Sequence, residues 1–239
     1  MRRPTEKSQP THPRPLSLRP GALVGWLAGW IGWLFWRGLL VVFLLVLAFA
    51  IFNPPTTLTI ISNAREYPIA ERRWARIEDI SPVMLRSVVA AEDANFCTHW
   101  GFDMQEIRRV IAQGGSGGAS TISQQVVKNV YLWQERSWPR KALEAGITPL
   151  VEAIWTKRRI LEVYVNVAEF GPGIFGVHAA AQQFYKTTPD KLTAVQSARL
   201  AAVLPAPKHR DAKVASRRSR AIADGAATIA RDGRDFCFR

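Results

Sequence analysis

The stretch SPVMLRSVVAAEDANFCTHWG, residues 81–101, decides the fold. Ser81 and Pro82 suit the N-cap and first position of a helix, where a hydroxyl can accept from an early N–H and proline's missing donor costs nothing. Leu85, Val88, Val89 and Glu92 then fall at i, i+3, i+4 and i+7, so the spacing predicts a helix with a carboxylate on its apolar face. That position is costly unless it is used. Burial, the C-terminal end of the helix and the neighbouring Asp93 all push a carboxyl pKa upward, toward the range of a general base. A glutamate that curls to solvent or pairs with an arginine is the structural alternative. His99 reads as a structural hydrogen-bonding residue.

Outward from this segment, apolar residues continue at three- and four-residue intervals. Gly114 to Gly118, Pro139, Gly171 to Gly173, Pro189 and Pro205 to Pro207 punctuate them, which predicts a mostly α domain from 81 to 239. Residues 54–80 mix a β-favouring run, Thr57 to Ile61, with charged residues, and read as a membrane-proximal connector, extended or as a small strand pair. The arginine-rich tail after Lys208 reads as a solvated surface, facing solvent or anionic lipid.

The N-terminal region has a different character. Residues 1–20 hold Arg2, Arg3, Lys7, Arg14 and Arg19 among prolines and read as a disordered basic tail. Gly21 to Phe52 is apolar but for Arg37, and about 20 such residues span a bilayer. Positive residues before it and a larger domain after it put the N-terminus in the cytoplasm. Trp26, Trp30, Trp33 and Trp36 recur at helical spacing as interfacial anchors, with Arg37 reaching toward headgroups. Ala48, Phe49 and Ala50 also form a signal-peptidase-like pattern, but the apolar run is longer than a signal core of about 7 to 15 residues. Cys97 and Cys237 would share an oxidising compartment, paired or as free thiols.

The 239 residues leave room for the anchor and one domain, with a second catalytic domain hard to fit. A net charge of +13 calls for a polyanionic partner: nucleic acid, an anionic membrane or a phosphate-bearing substrate. No nucleic-acid-binding motif occurs, and no Gly-Lys-Ser/Thr follows the glycines at 114–118 to make a nucleotide loop.

Two further segments carry chemistry. In GGSGGASTISQQVVKNVYL, residues 114–132, Thr121 and Gln124 have capping-box spacing. Thr121, Gln124, Gln125 and Lys128 form a polar stripe opposite Ile122, Val126 and Val130, either a solvated helix surface or an anion cradle. Further on, Arg136, Arg140 and Lys141 cluster before Glu144. Arg140 and Glu144, four apart, read as a helix-surface ion pair, and Pro149 should kink a helix running through it.

Together these segments resemble the biosynthetic peptidoglycan transglycosylases, a family shared by monofunctional enzymes and the glycosyltransferase domain of class A penicillin-binding proteins. The first motif is Glu92, Asp93, Phe96, His99 and Gly101. The second runs Gly118, Ala119, Ser120, Thr121, Gln124, Gln125, Lys128 and Asn129. Arg140, Lys141 and Glu144 are the third, followed by Lys157, Ile160, Leu161, Tyr164 and Asn166.

The resemblance implies a lysozyme-like, two-lobed helical domain behind a single transmembrane helix. It also implies polymerisation of lipid II into β-1,4 glycan strands with release of undecaprenyl diphosphate. Glu92 and Glu144 would be catalytic, and Asp93, Ser120, Thr121, Gln124, Gln125, Lys128, Arg136, Arg140 and Lys141 would bind substrate. No cofactor is required, although a divalent cation, magnesium or manganese, at the pyrophosphate is compatible with this reading. Expected partners are lipid II, the growing strand, the bacterial inner membrane and other wall-building or division proteins, but no nucleic acid. No Ser-x-x-Lys or Lys-Thr-Gly occurs, so no penicillin-binding transpeptidase site is expected. The competing readings are a lysozyme-like or lytic enzyme that cleaves the same polymer, and a non-catalytic scaffold.

Overall fold

The computed structural model describes residues 20–115, 118–135 and 137–239. The basic tail expected over residues 1–20 therefore falls, but for Pro20, outside the described residues. The chain divides into two compact units, residues 1–42 and 43–239.

In the first unit the described residues belong to helix α1, Pro20–Ile51, of which Val24–Ile51 is apolar and long enough to cross a bilayer. Trp30 makes edge-on ring contacts with both Trp26 and Trp33, and the Arg37 guanidinium lies 4.0 Å from the centre of the Trp33 ring. That cation–π contact shields a charge on an otherwise apolar helix.

The second unit begins with the last turns of α1. Here Arg159 donates to the carbonyls of Phe49 and Phe52 and to Oδ1 of Asn53, and Trp155 Nε1 donates to Val46 O. The arginine thereby satisfies carbonyls that a helix end leaves without partners. Next comes α2, Leu58–Asn63, where the sequence predicts extended chain or strand. The Thr57 hydroxyl accepts from Ile60 N and caps the first turn, while Thr59, Ile60 and Asn63 are buried, with α2 packed on α5. This packing outweighs the local β preference.

Among the described residues eight more α-helices follow: α3 Pro82–Glu92, α4 Met104–Ala112, α5 Ile122–Tyr131, α6 Trp138–Ile154, α7 Lys157–Val167, α8 Val177–Tyr185, α9 Ala194–Val203 and α10 Arg217–Arg231. A short antiparallel hairpin, β1 Glu169–Gly171 and β2 Ile174–Phe175, separates α7 from α8. The domain is mostly helical, as the periodicity predicts. Ser81 does stand at the N-cap of α3, but its hydroxyl makes no capping bond and its N–H donates to Pro189 O. Helix α6 runs through Pro149 as one element.

Helix α3 packs against α9 and α10, and α5 lies against α6 and α7. The two groups meet through a core that includes Met84, Val88, Phe96, Ile122, Val126, Ile160, Leu161, Tyr164 and Leu200. Helix α10 corrects the reading of the C-terminal segment as solvated surface. Ile222, Ala226 and Ile229, at i, i+4 and i+7, are buried, and each isoleucine contributes about 2 kcal/mol by leaving water. Small alanines between arginines hide this stripe in the sequence. Cys97 and Cys237 form a disulfide that ties the chain beyond α10 to the loop after α3.

Candidate active site

The site is built where the end of α3 meets the start of α5. Glu92 is the last residue of α3, and its side chain is only 10 % exposed. Its Oε2 accepts from Gln125 Nε2 at 2.8 Å, and Oε1 lies 3.4 Å from Arg218 Nη2. Burial pushes the Glu92 carboxyl above its ordinary pKa. The Gln125 hydrogen bond and the charges of Arg218 and Lys128 hold it down, and Asp93 adds a small upward push. The expected direction is therefore found, with burial as its main cause.

Asp93 and the first turn of α5 hold this junction together. The Asp93 side chain is 1 % exposed, with Oδ1 2.8 Å from His99 Nε2 and Oδ2 accepting from Ile122 N at 2.9 Å. Thr121 and Gln124 make the full capping box, and the Thr121 hydroxyl also donates to Gly101 O at 2.6 Å. Gly101 adopts φ +84°, and a Cβ there would stand 2.8 Å from Thr148 Cγ2, so this motif position requires glycine.

The polar stripe of α5 is not a solvated surface, the alternative that the segment alone slightly favours. Thr121 and Gln124 are buried, and Gln125 and Lys128 are half-buried. Lys128 lies one turn beyond Gln124 and senses the charges of Glu144, Arg140, Glu92 and Lys141; burial dominates and pushes its ammonium below its ordinary pKa. Among the described residues it makes no hydrogen bond or ion pair, so its charge is available to a ligand.

Arg140 and Glu144 are likewise not a surface pair. Their side chains are 9 % and 3 % exposed; Arg140 Nη1 donates to Glu144 Oε2 at 2.7 Å, and Lys141 pairs with Oε1 of the same carboxylate. Lys141 also donates to the exposed Ser120 hydroxyl at 3.1 Å. Packing of α6 on α5 buries what an isolated helix would leave in water. Arg136 lies outside the described residues.

Two open cavities lie at the Glu92–Gln125 pair, one reaching each partner. One, of about 350 Å3, is lined by Glu92, Asp93, Asn95, residues 118–121 and Arg218. The other, of about 310 Å3, is lined by Gln125, Lys128, Asn129, Tyr164, Glu169 and Lys208 among others. Together they offer a carboxylate suited to take a proton and, one helical turn from Gln125, an ammonium that among the described residues has no hydrogen-bonded counter-ion and lies beside open space.

Sequence reasoning missed Arg218, because the tail carrying it reads as solvated, and gave no role to Tyr164. The Tyr164 hydroxyl is buried and donates to Gln125 Oε1 at 3.1 Å. Burial, and then the negative charges of Glu92 and Asp93, raise its pKa well above the ordinary phenol value.

The transglycosylase family model matches residues 60–229. A biosynthetic peptidoglycan transglycosylase of Jannaschia sp. is 54 % identical over 197 residues, 81 % of this chain and 82 % of that one. Its counterpart in Caulobacter vibrioides is 42 % identical, with 80 % and 87 % covered, and that of Xanthomonas campestris pv. campestris is 50 % identical, with 70 % and 73 % covered.

Proposed function

Because the chain belongs to the transglycosylase family and is a peptidoglycan glycosyltransferase, we propose that it polymerises lipid II with Glu92 as general base. The carboxylate takes the proton of the acceptor sugar's 4-hydroxyl as that oxygen attacks C1 of the donor. A new C1–O bond forms with inversion, and the C1–O bond to undecaprenyl diphosphate breaks. The observation that carries this reading is the buried Glu92 carboxylate, oriented by Gln125 at 2.8 Å, with unpaired Lys128 near it. An ammonium already in place meets charge that grows on the departing diphosphate, and it does so without reorganisation. A cleaving enzyme has no diphosphate to hold.

Gln125, Lys128 and the Arg136 region are assigned to the diphosphate in this reading. Glu144 acts by fixing Arg140 and Lys141, and Asp93, Thr121 and Gln124 by holding the α3–α5 junction on which Glu92 and Gln125 stand. Glu144 is a poor ligand for a divalent cation, since both its oxygens already accept from cations. Among the described residues no three metal-ligating side chains cluster, so no step is routed through a metal. The α1 helix is apolar enough to span a membrane; we place the N-terminus in the cytoplasm and the catalytic domain outside the bacterial inner membrane, from the basic residues that precede the helix.

The test is polymerisation of labelled lipid II by the detergent-purified full-length chain, native against Glu92→Gln. A ladder of strands from the native protein, reduced by roughly 10²- to 10⁴-fold in the variant, is expected. No polymer from folded native protein, or cleavage of preformed strands, would overturn the proposal.

A further inference from the structure

Away from the catalytic cleft, a cavity of about 220 Å3 is lined by Arg72, Arg73 and Trp74 together with Asn53 and Pro54. It begins two residues beyond Ile51, where α1 ends. The segment that lines it is pinned. Ala75 exchanges both backbone hydrogen bonds with the Asn166 amide at 2.8 Å, and Trp74 Nε1 donates to Glu162 Oε1 at 3.1 Å. No lining residue of the two cavities at the Glu92–Gln125 pair takes part.

Arg72 is the anomaly. It is half-buried, its Nε is shut off from solvent without a partner, and among the described residues it makes no ion pair or hydrogen bond. Burial pushes the guanidinium below its ordinary pKa, with no carboxylate opposing it. The neighbouring Glu71 pairs with Arg73, Glu78 further along the segment pairs with Arg158, and Glu162, which accepts from Trp74, pairs with Arg159. A desolvated cation with no counter-ion is costly, and the cost disappears when an anion occupies the cavity.

We propose that Arg72, with Arg73 and Trp74, binds the phosphodiester of an anionic membrane lipid in the leaflet next to the catalytic domain. The proposal rests on α1 being a membrane span. The residues that follow such a span lie at headgroup level, where phosphodiesters are concentrated and where tryptophan is favoured. A guanidinium fork matches two phosphate oxygens, and basic pockets beside a span are a recurring form of headgroup recognition.

The experiment follows thermal melting of the full-length protein in neutral detergent during titration with short-chain phosphatidylglycerol. Parallel titrations use short-chain phosphatidylcholine, glycerol phosphate and inorganic phosphate. Phosphatidylglycerol should raise the melting temperature saturably, with half-saturation moved about tenfold or more by Arg72→Gln and less by Arg72→Lys. Without lipid, Arg72→Gln should melt no lower than native, since it removes an uncompensated charge, and this distinguishes lost binding from lost folding. Lys191→Gln, at an exposed site, and Lys128→Gln, in the cleft, should leave the lipid response in place. An unchanged response in Arg72→Gln, or a loss specific to Lys128→Gln, overturns the site. An equal response to inorganic phosphate or phosphatidylcholine overturns the anionic lipid as its ligand.

Discussion

Tyr164 donates its hydroxyl to Oε1 of Gln125, which leaves the amide nitrogen of Gln125 as the atom that faces Glu92. A buried phenol thus sets the direction of an amide, and the amide supplies a donor to the ionised form of Glu92. This arrangement favours the carboxylate in a place where burial opposes it.

As the proposed base, Glu92 must be ionised to take a proton, so activity should fall as pH drops through its raised pKa. Gln125→Leu removes a donor to the charged form and should move the acid limb of kcat/KM to higher pH. Tyr164→Phe frees the amide to turn and should move the limb the same way by less. Arg218→Gln removes an attractive charge and should also shift it upward. Rate profiles across the acid range test all three, and a limb that stays put in Gln125→Leu rules out the orienting role.

Lys128 carries its charge at a cost, because burial depresses its pKa. The neutral form is favoured by folding, so this penalty is absent above the unfolded pKa and sets in as pH falls through that value toward the depressed one. Lys128→Met keeps the shape without the charge. Its melting temperature at neutral pH should equal or exceed the native value, while polymerisation falls about 100-fold or more. A variant that is both less stable and fully active would contradict this.

Glu144 is the shared partner of two cations, buried Arg140 and the more exposed Lys141. Glu144→Gln leaves Arg140 and Lys141 without their counter-ion and should cost about 3–5 kcal/mol in urea unfolding. Adding Arg140→Met should recover part of that loss. If the single variant is as stable as native protein, the pair is not the buried structural element described here.

Much of the site is legible in the sequence because it is local. The face of α3 bearing Glu92, the Thr121–Gln124 capping box and the apolar stripe of α5 all follow from spacing within one helix. The burial of Arg140 and Glu144 does not, since a four-residue interval looks the same on a solvated helix as on one pressed against α5. The run from Thr57 to Ile61 starts helix α2, with Thr57 as its cap, because that cap and tertiary packing outweigh β preference. Arg218 was hidden for a related reason: alanines make α10 look unable to bury anything, until its stripe is set against α3 and α9.

The Cys97–Cys237 bond joins residues 140 apart in sequence and closes a covalent ring that contains α4 to α10. On the topology proposed above, the N-terminus stays in the cytoplasm and the residues nearest the anchor cross first, so Cys97 arrives long before its partner and waits as a thiol. Until α10 follows, α3 lacks one of its covers and Glu92 lacks Arg218. On that topology, and with Glu92 as the proposed base, the order of arrival delays the finished site until the last helix is across, so chemical competence would be acquired where the ring closes and not where the chain is made.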